Sequence, residues 1–117
     1  TEVRQSTIIG GPVEGKIALM FDDMISTAGS ICGAAKLVHD AGAAEIHLAC
    51  THGVLCGPAI ERLRDAPVDS ITVTDTIPIP ADKMLPNLAQ LSVAPLLAEA
   101  IKRIHHYQSI SELFRER

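Results

Sequence analysis

Paired cysteines are the first thing this sequence lacks. It has three, Cys32, Cys50 and Cys56, an odd count with no CxxC among them. That argues against a disulfide framework and favours a reducing, cytoplasmic setting, with each thiol acting as a small buried hydrophobe. Long apolar runs are also missing: nothing approaches the roughly 18 residues of a membrane span, and no secretory signal is present. Positive charge is scarce, with 10 Lys and Arg against 14 Asp and Glu and a net charge of −4. This argues against a nucleic-acid or acidic-membrane partner and leaves room for a local anion pocket. Neither GxxxxGK[ST] nor GxGxxG occurs, and no His/Cys/Asp spacing suits a structural zinc site. Internal repeats, low-complexity tracts and coiled-coil heptads are absent as well. The chain opens on Thr1 in place of an initiator methionine, which suggests a trimmed chain or a fragment of a longer one.

What is present is a globular composition, 47% hydrophobic over 117 residues, enough for one small domain. "KIALMF", Lys16 to Phe21, is a continuous apolar run that suits a strand buried on both faces and ended by Asp22-Asp23. Ser30 to Ala41 carries apolar residues at helical spacing, with Gly42 as the stop. "AEIHLACTH", Ala44 to His52, is a second strand. "GPAIERLRDA" follows as a helix with Pro58 near its first turn. "DSITVTDT", Asp69 to Thr76, is a third strand rich in β-branched residues. "IPIP" keeps the backbone extended, and "NLAQLSV" is a fourth strand. The last helix has Ser92 as its cap and Pro95 in its first turn. Its stripe of Val93, Leu96, Leu97, Ile101 and Ile104 is most simply core, as is the tail "SISELF". The order β-α-β-α-β-β-α predicts an α/β fold, a mainly parallel sheet flanked by helices.

The stretch "MFDDMISTAGS", Met20 to Ser30, carries the chemistry. In an open parallel sheet, ligands bind beyond the carboxyl ends of the strands. Ser26 to Ser30 falls there, between strand one and helix one. A helix start offers amides with partial positive charge. Ser26, Thr27 and Ser30 add hydroxyl donors, and Ala28 and Gly29 permit close backbone approach. Asp22 and Asp23 would repel an anion they touched. A few ångströms away, they can accept hydrogen bonds from sugar hydroxyls or hold magnesium through water. A sugar phosphate makes both demands. Acidic and hydroxylated residues at this position also suit plain helix capping, and the residues alone leave both open. His52 closes strand two at the same edge, and a structural role near a turn is favoured for it. His39 and His47 form no cluster.

"FDDMISTAGS" resembles the phosphoribosyl-diphosphate loop of type I phosphoribosyltransferase-like domains. With "THGVLCGPAIERL", "VTDTIPIP" and "LSVAPLLAEAIKRIH" followed by "SISELF", the chain from Ile8 to Phe114 is similar to the C-terminal part of the ribose-phosphate pyrophosphokinase family. The resemblance implies one C-terminal phosphoribosyltransferase-like domain over residues 1–117, a fragment of a longer two-domain chain. It implies diphosphate transfer from ATP to the anomeric hydroxyl of ribose 5-phosphate, with Mg2+ required and no direct metal ligand in this chain. Ser26, Thr27, Ala28, Gly29 and Ser30 would cradle the 5-phosphate, and Asp22 and Asp23 would lie against the ribose. Thr74 and Thr76 are weaker candidates for nucleotide or effector phosphate.

Two departures stand out. Many members carry aspartate where this chain has Ser26, and threonine where it has Ser30. The catalytic Lys-x-Arg loop, expected just before Ile8, is absent, and Arg4 is not assigned to that role, so no catalytic residue is placed in this chain. ATP contacts would come from missing parts or a neighbouring subunit of a homo-oligomer, and the piece alone is expected to be inactive. Two alternatives remain: a non-catalytic regulatory relative that keeps the fold, and a phosphoribosyltransferase that consumes the diphosphate.

Overall fold

The computed structural model describes residues 8 and 10–115. Arg4 and the segment expected to border the catalytic loop lie outside them. The order is β1 (Ile17–Ile25), α1 (Gly29–Asp40), β2 (Glu45–Gly53), α2 (Ala59–Asp65), β3 (Ser70–Thr74), β4 (Leu88–Leu91) and α3 (Ala94–His105). Short 3-10 turns occupy Ala81–Lys83 and Ser111–Phe114. The four strands form one sheet in the order β1-β2-β3-β4, and every neighbouring pair is parallel. The expected α/β architecture and element order are found.

Strand alternation decides what is buried. Ile46, Leu48, Cys50, Ile71, Val73 and Leu88 point to one face and are buried there with Ile31 and Ala35 of α1 and Ala59 and Leu63 of α2. Ala18 and Met20 of β1 pack against the same cluster. Gly42 ends α1 at φ +94, a left-handed turn that glycine adopts without a Cβ penalty.

Three expectations are corrected. β1 does not stop at the aspartate pair. Asp22 pairs with Cys50 and Met24 with His52, so the parallel ladder carries the strand through to Ile25. Nor is β1 buried on both faces. Ile17, Leu19 and Phe21 lie on the side that α1 does not cover, and Phe21 is 77% exposed. The last helix and tail are not core among the described residues. Leu96, Leu97, Ile101 and Ile104 of α3 are exposed, as is Phe114. Apolar spacing marks a stripe that wants cover; it does not say what supplies it. The chain is accordingly extended, with a radius of gyration of 16.9 Å where a compact chain of this size has about 13 Å.

Local polar bonds fix α3 in place of packing. Asp75 Oδ1 accepts the Val93 amide at 2.8 Å, and Ser92 Oγ accepts the Ala94 amide at 3.1 Å. Arg103 donates to Glu99 (3.0 Å), to the Ser109 carbonyl (3.0 Å) and to Glu112 (3.2 Å), folding the tail back on the helix. The Val93 amide, helped by Ser92, holds the Asp75 carboxyl below its ordinary range.

Ile71→Ala, at a fully buried position, is expected to cost about 2–5 kcal/mol in urea denaturation. Ile101→Ala, on the exposed stripe, is expected to stay within about 0.5 kcal/mol in this chain. Because folding lowers the Asp75 pKa, its contribution is present above the ordinary value of 3.8 and is lost as pH falls through the folded value. Unfolding midpoints taken between about pH 5 and pH 2 should therefore fall less steeply in Asp75→Asn than in the parent.

Candidate functional site

The loop between β1 and α1 lies at the carboxyl edge of the sheet. Its central residue, Ala28, is the N-cap of α1 and sits at φ 62, ψ 10, with no side-chain cap hydrogen bond. A methyl-bearing residue enters this left-handed region at a cost of about 1–2 kcal/mol. Neither Ser26, Thr27 nor Ser30 caps the helix. Among the described residues no hydrogen bond engages the amides of Thr27, Ala28, Gly29 or Ser30. Plain capping, left open by the sequence, is not what this loop does. It presents unspent N–H groups at the positive end of a 12-residue helix.

The carbonyls of the same peptides are spent. Ile25 O accepts the amides of Val54 (3.1 Å) and Leu55 (3.0 Å), and Ser26 O accepts that of Cys56 (3.0 Å). Thr27 O takes Nη1 of Arg62 at 3.1 Å, and Ala28 O takes the Cys32 amide at 3.1 Å. In a planar trans peptide the C=O and the following N–H point in opposite directions. Carbonyls pinned toward the protein therefore aim the amides of Thr27, Ala28 and Gly29 outward, an arrangement with the chemistry to accept an anion.

The β2–α2 connection that supplies these bonds is itself strained. Leu55 has φ 50 and is buried. Its carbonyl accepts Lys83 Nζ at 3.0 Å, so both of its backbone groups are held. Ser26 Oγ and Cys56 Sγ are 3.3 Å apart.

Asp22 and Ser30 share a groove of about 170 Å³ with Met20, Phe21, Ile31 and Ala34. Asp22 Oδ1 accepts the Asp23 amide at 2.8 Å, and both residues are exposed. Successive strand residues face opposite ways. Asp22 thus sits on the α1 side beside the loop, while Asp23 lies on the open side of the sheet. Burial pushes the Cys50 thiol up, a backbone hydrogen bond from Ile25 opposes this, and the charges of Asp22 and Asp23 add to the rise. Burial likewise raises Cys32, and nearby Arg62 acts in the opposite sense.

Thr74 and Thr76 are brought together at the ends of β2 and β3. Both hydroxyls reach the Thr51 carbonyl, at 2.6 and 3.2 Å, and Thr76 meets His52 Nδ1 at 2.8 Å. His47 lies between Ser70 (2.6 Å) and Glu45 (2.9 Å) on the open sheet face. Both histidines thus have protein partners. No group of three or more His, Cys, Asp or Glu able to hold a metal ion occurs among the described residues. Arg62, Lys83 and Cys56 take part in the loop's contacts without any motif in the sequence to mark them. Only the basic residues of α2 signalled anything, and 35 positions separate Arg62 from Thr27.

A family model described as the phosphoribosyl synthetase-associated domain matches residues 2–115. The chain belongs to that family. It is 87% identical over 116 residues to a ribose-phosphate pyrophosphokinase of Rhodopirellula baltica, covering 99% of this chain and 37% of that protein. A ribose-phosphate pyrophosphokinase of Caldanaerobacter subterraneus is 52% identical over 104 residues, 89% of this chain and 33% of the relative. The crystal structure of phosphoribosylpyrophosphate synthetase from Mycobacterium smegmatis superposes with a TM-score of 0.81 at 44% identity, over 84% of this chain and 33% of that one. The chain thus spans about a third of the length of the relatives it matches. The family assignment stands without the carboxyl-terminal placement expected from the sequence, since the matches name a synthetase-associated domain and no such position.

Inorganic phosphate titrated into the labelled protein is expected to shift the amide resonances of Thr27 to Ser30 more than any others in NMR spectra. The amides of β3 should stay in place.

Proposed function

We propose that this chain is the ribose-5-phosphate-holding part of a ribose-phosphate pyrophosphokinase, one domain of a longer chain. The observation that carries the proposal is the uncapped start of α1, whose outward amides follow a carboxylate-bearing strand. The amides of Thr27, Ala28, Gly29 and Ser30 take the 5-phosphate, with hydroxyls from Ser26, Thr27 and Ser30 in reach of its oxygens. Asp22 accepts from a ribose hydroxyl, while Asp23, on the other face of β1, reaches the ring or magnesium through water. Magnesium, when bound, supplies charge neutralisation for the transferring diphosphate.

The named relatives support diphosphate transfer from ATP to the anomeric hydroxyl over the phosphoribosyltransferase and regulatory alternatives. This domain positions the acceptor: with the phosphate fixed at one end and a hydroxyl at the other, the anomeric oxygen has one place to be. The cations that stabilise the diphosphate in flight belong to other parts of the enzyme or to a neighbouring copy in a homo-oligomer. Thr74 and Thr76 are placed near nucleotide or effector phosphate in this proposal. Their bonds to Thr51 and His52 equally describe a brace between strands. A cytoplasmic location belongs to the same proposal, and no described helix is long and apolar enough to cross a membrane.

In the full synthetase chain, the double variant Thr27→Val/Ser30→Ala is expected to raise KM for ribose 5-phosphate about tenfold while leaving KM for ATP within about twofold. An unchanged ribose 5-phosphate KM would remove the loop from the site. The 117-residue chain, given ATP, Mg2+ and ribose 5-phosphate, is expected to release no AMP above background; steady turnover would refute the division of labour.

A further inference from the structure

The loop's amides are aimed by what its carbonyls are tied to, and the ties differ in kind. Ile25 O, Ser26 O and Ala28 O are held by backbone amides. Thr27 O is held by a side chain, Nη1 of Arg62, from the second turn of α2. The peptide it holds ends in the N–H of Ala28, the residue at φ 62. Gly29 keeps the approach open: a Cβ there would lie 3.0 Å from the same Nη1.

We propose that Arg62 is a positioning residue for the anion loop, pinning the Thr27 carbonyl so that the Ala28 amide faces the 5-phosphate. The proposal rests on the ribose-5-phosphate assignment above and adds the residue on which that geometry depends. Two effects follow from one contact. The guanidinium fixes the peptide plane, so the strained Ala28 conformation is reached before the ligand arrives. Its charge also lies by the loop, and that charge is felt at Cys32 in the first turn of α1. Both effects favour a bound dianion. Neither bears on the nucleotide, so Arg62 separates affinity for the acceptor from affinity for the donor.

Arg62→Met keeps the stem and removes the donor and the charge. Arg62→Lys restores a donor and a charge as a single ammonium on a shorter side chain. In the full synthetase chain, Arg62→Met is expected to raise KM for ribose 5-phosphate about tenfold, with KM for ATP within about twofold. Arg62→Lys should recover most of the loss. Both should unfold within a few degrees of the parent, because Arg62 is exposed. An unchanged ribose 5-phosphate KM in Arg62→Met, beside a raised one in Thr27→Val/Ser30→Ala, would overturn the role of Arg62 and leave the loop assignment standing. No change in either variant would overturn both. A parallel rise in both KM values, or no recovery with lysine, would show a general structural role and overturn the proposal.

Discussion

Ala28 stands in a backbone conformation that its methyl group resists, and the candidate site exists because the fold keeps it there. Released, the residue would relax to a negative φ and its neighbours would gain ordinary caps. What prevents this is a second segment. The connection from β2 to α2 lies across the loop and takes up its carbonyls in sequence. That connection has its own left-handed residue, Leu55, buried and tied at both backbone groups. Two strained positions thus lock each other, and the free amides are the result.

The framework around this lock was largely readable from residue patterns. β-branched and apolar runs separated by helical periodicity announced the element order, because spacing records which side of an element meets a core. Spacing does not record how many sides are covered. "KIALMF" reads as a strand buried on both faces, yet alternation sends Ile17, Leu19 and Phe21 to the open one. The aspartate pair looked like a strand end because charge disfavours burial. At an edge strand both carboxylates reach water, so the ladder continues past them.

The site was half legible. Ser26 to Ser30 draw notice in the sequence because small and hydroxylated residues follow a strand there, a pattern that suits an anion loop and a helix cap alike. What holds them draws none, since Arg62, Lys83 and Cys56 come from distant positions and act on backbone atoms. No residue pattern within the loop points to partners that bind carbonyls. The left-handed Ala28 was equally hidden, because alanine is a good helix former and nothing in its identity announces strain.

The parallel sheet has a further consequence for the molecule as a material. Among the described residues β1 is an edge, nine residues long, with an apolar side turned outward. Such a border offers main-chain donors and acceptors to any extended segment that comes near. Prepared by itself and concentrated, this protein would tend to stitch onto copies of itself.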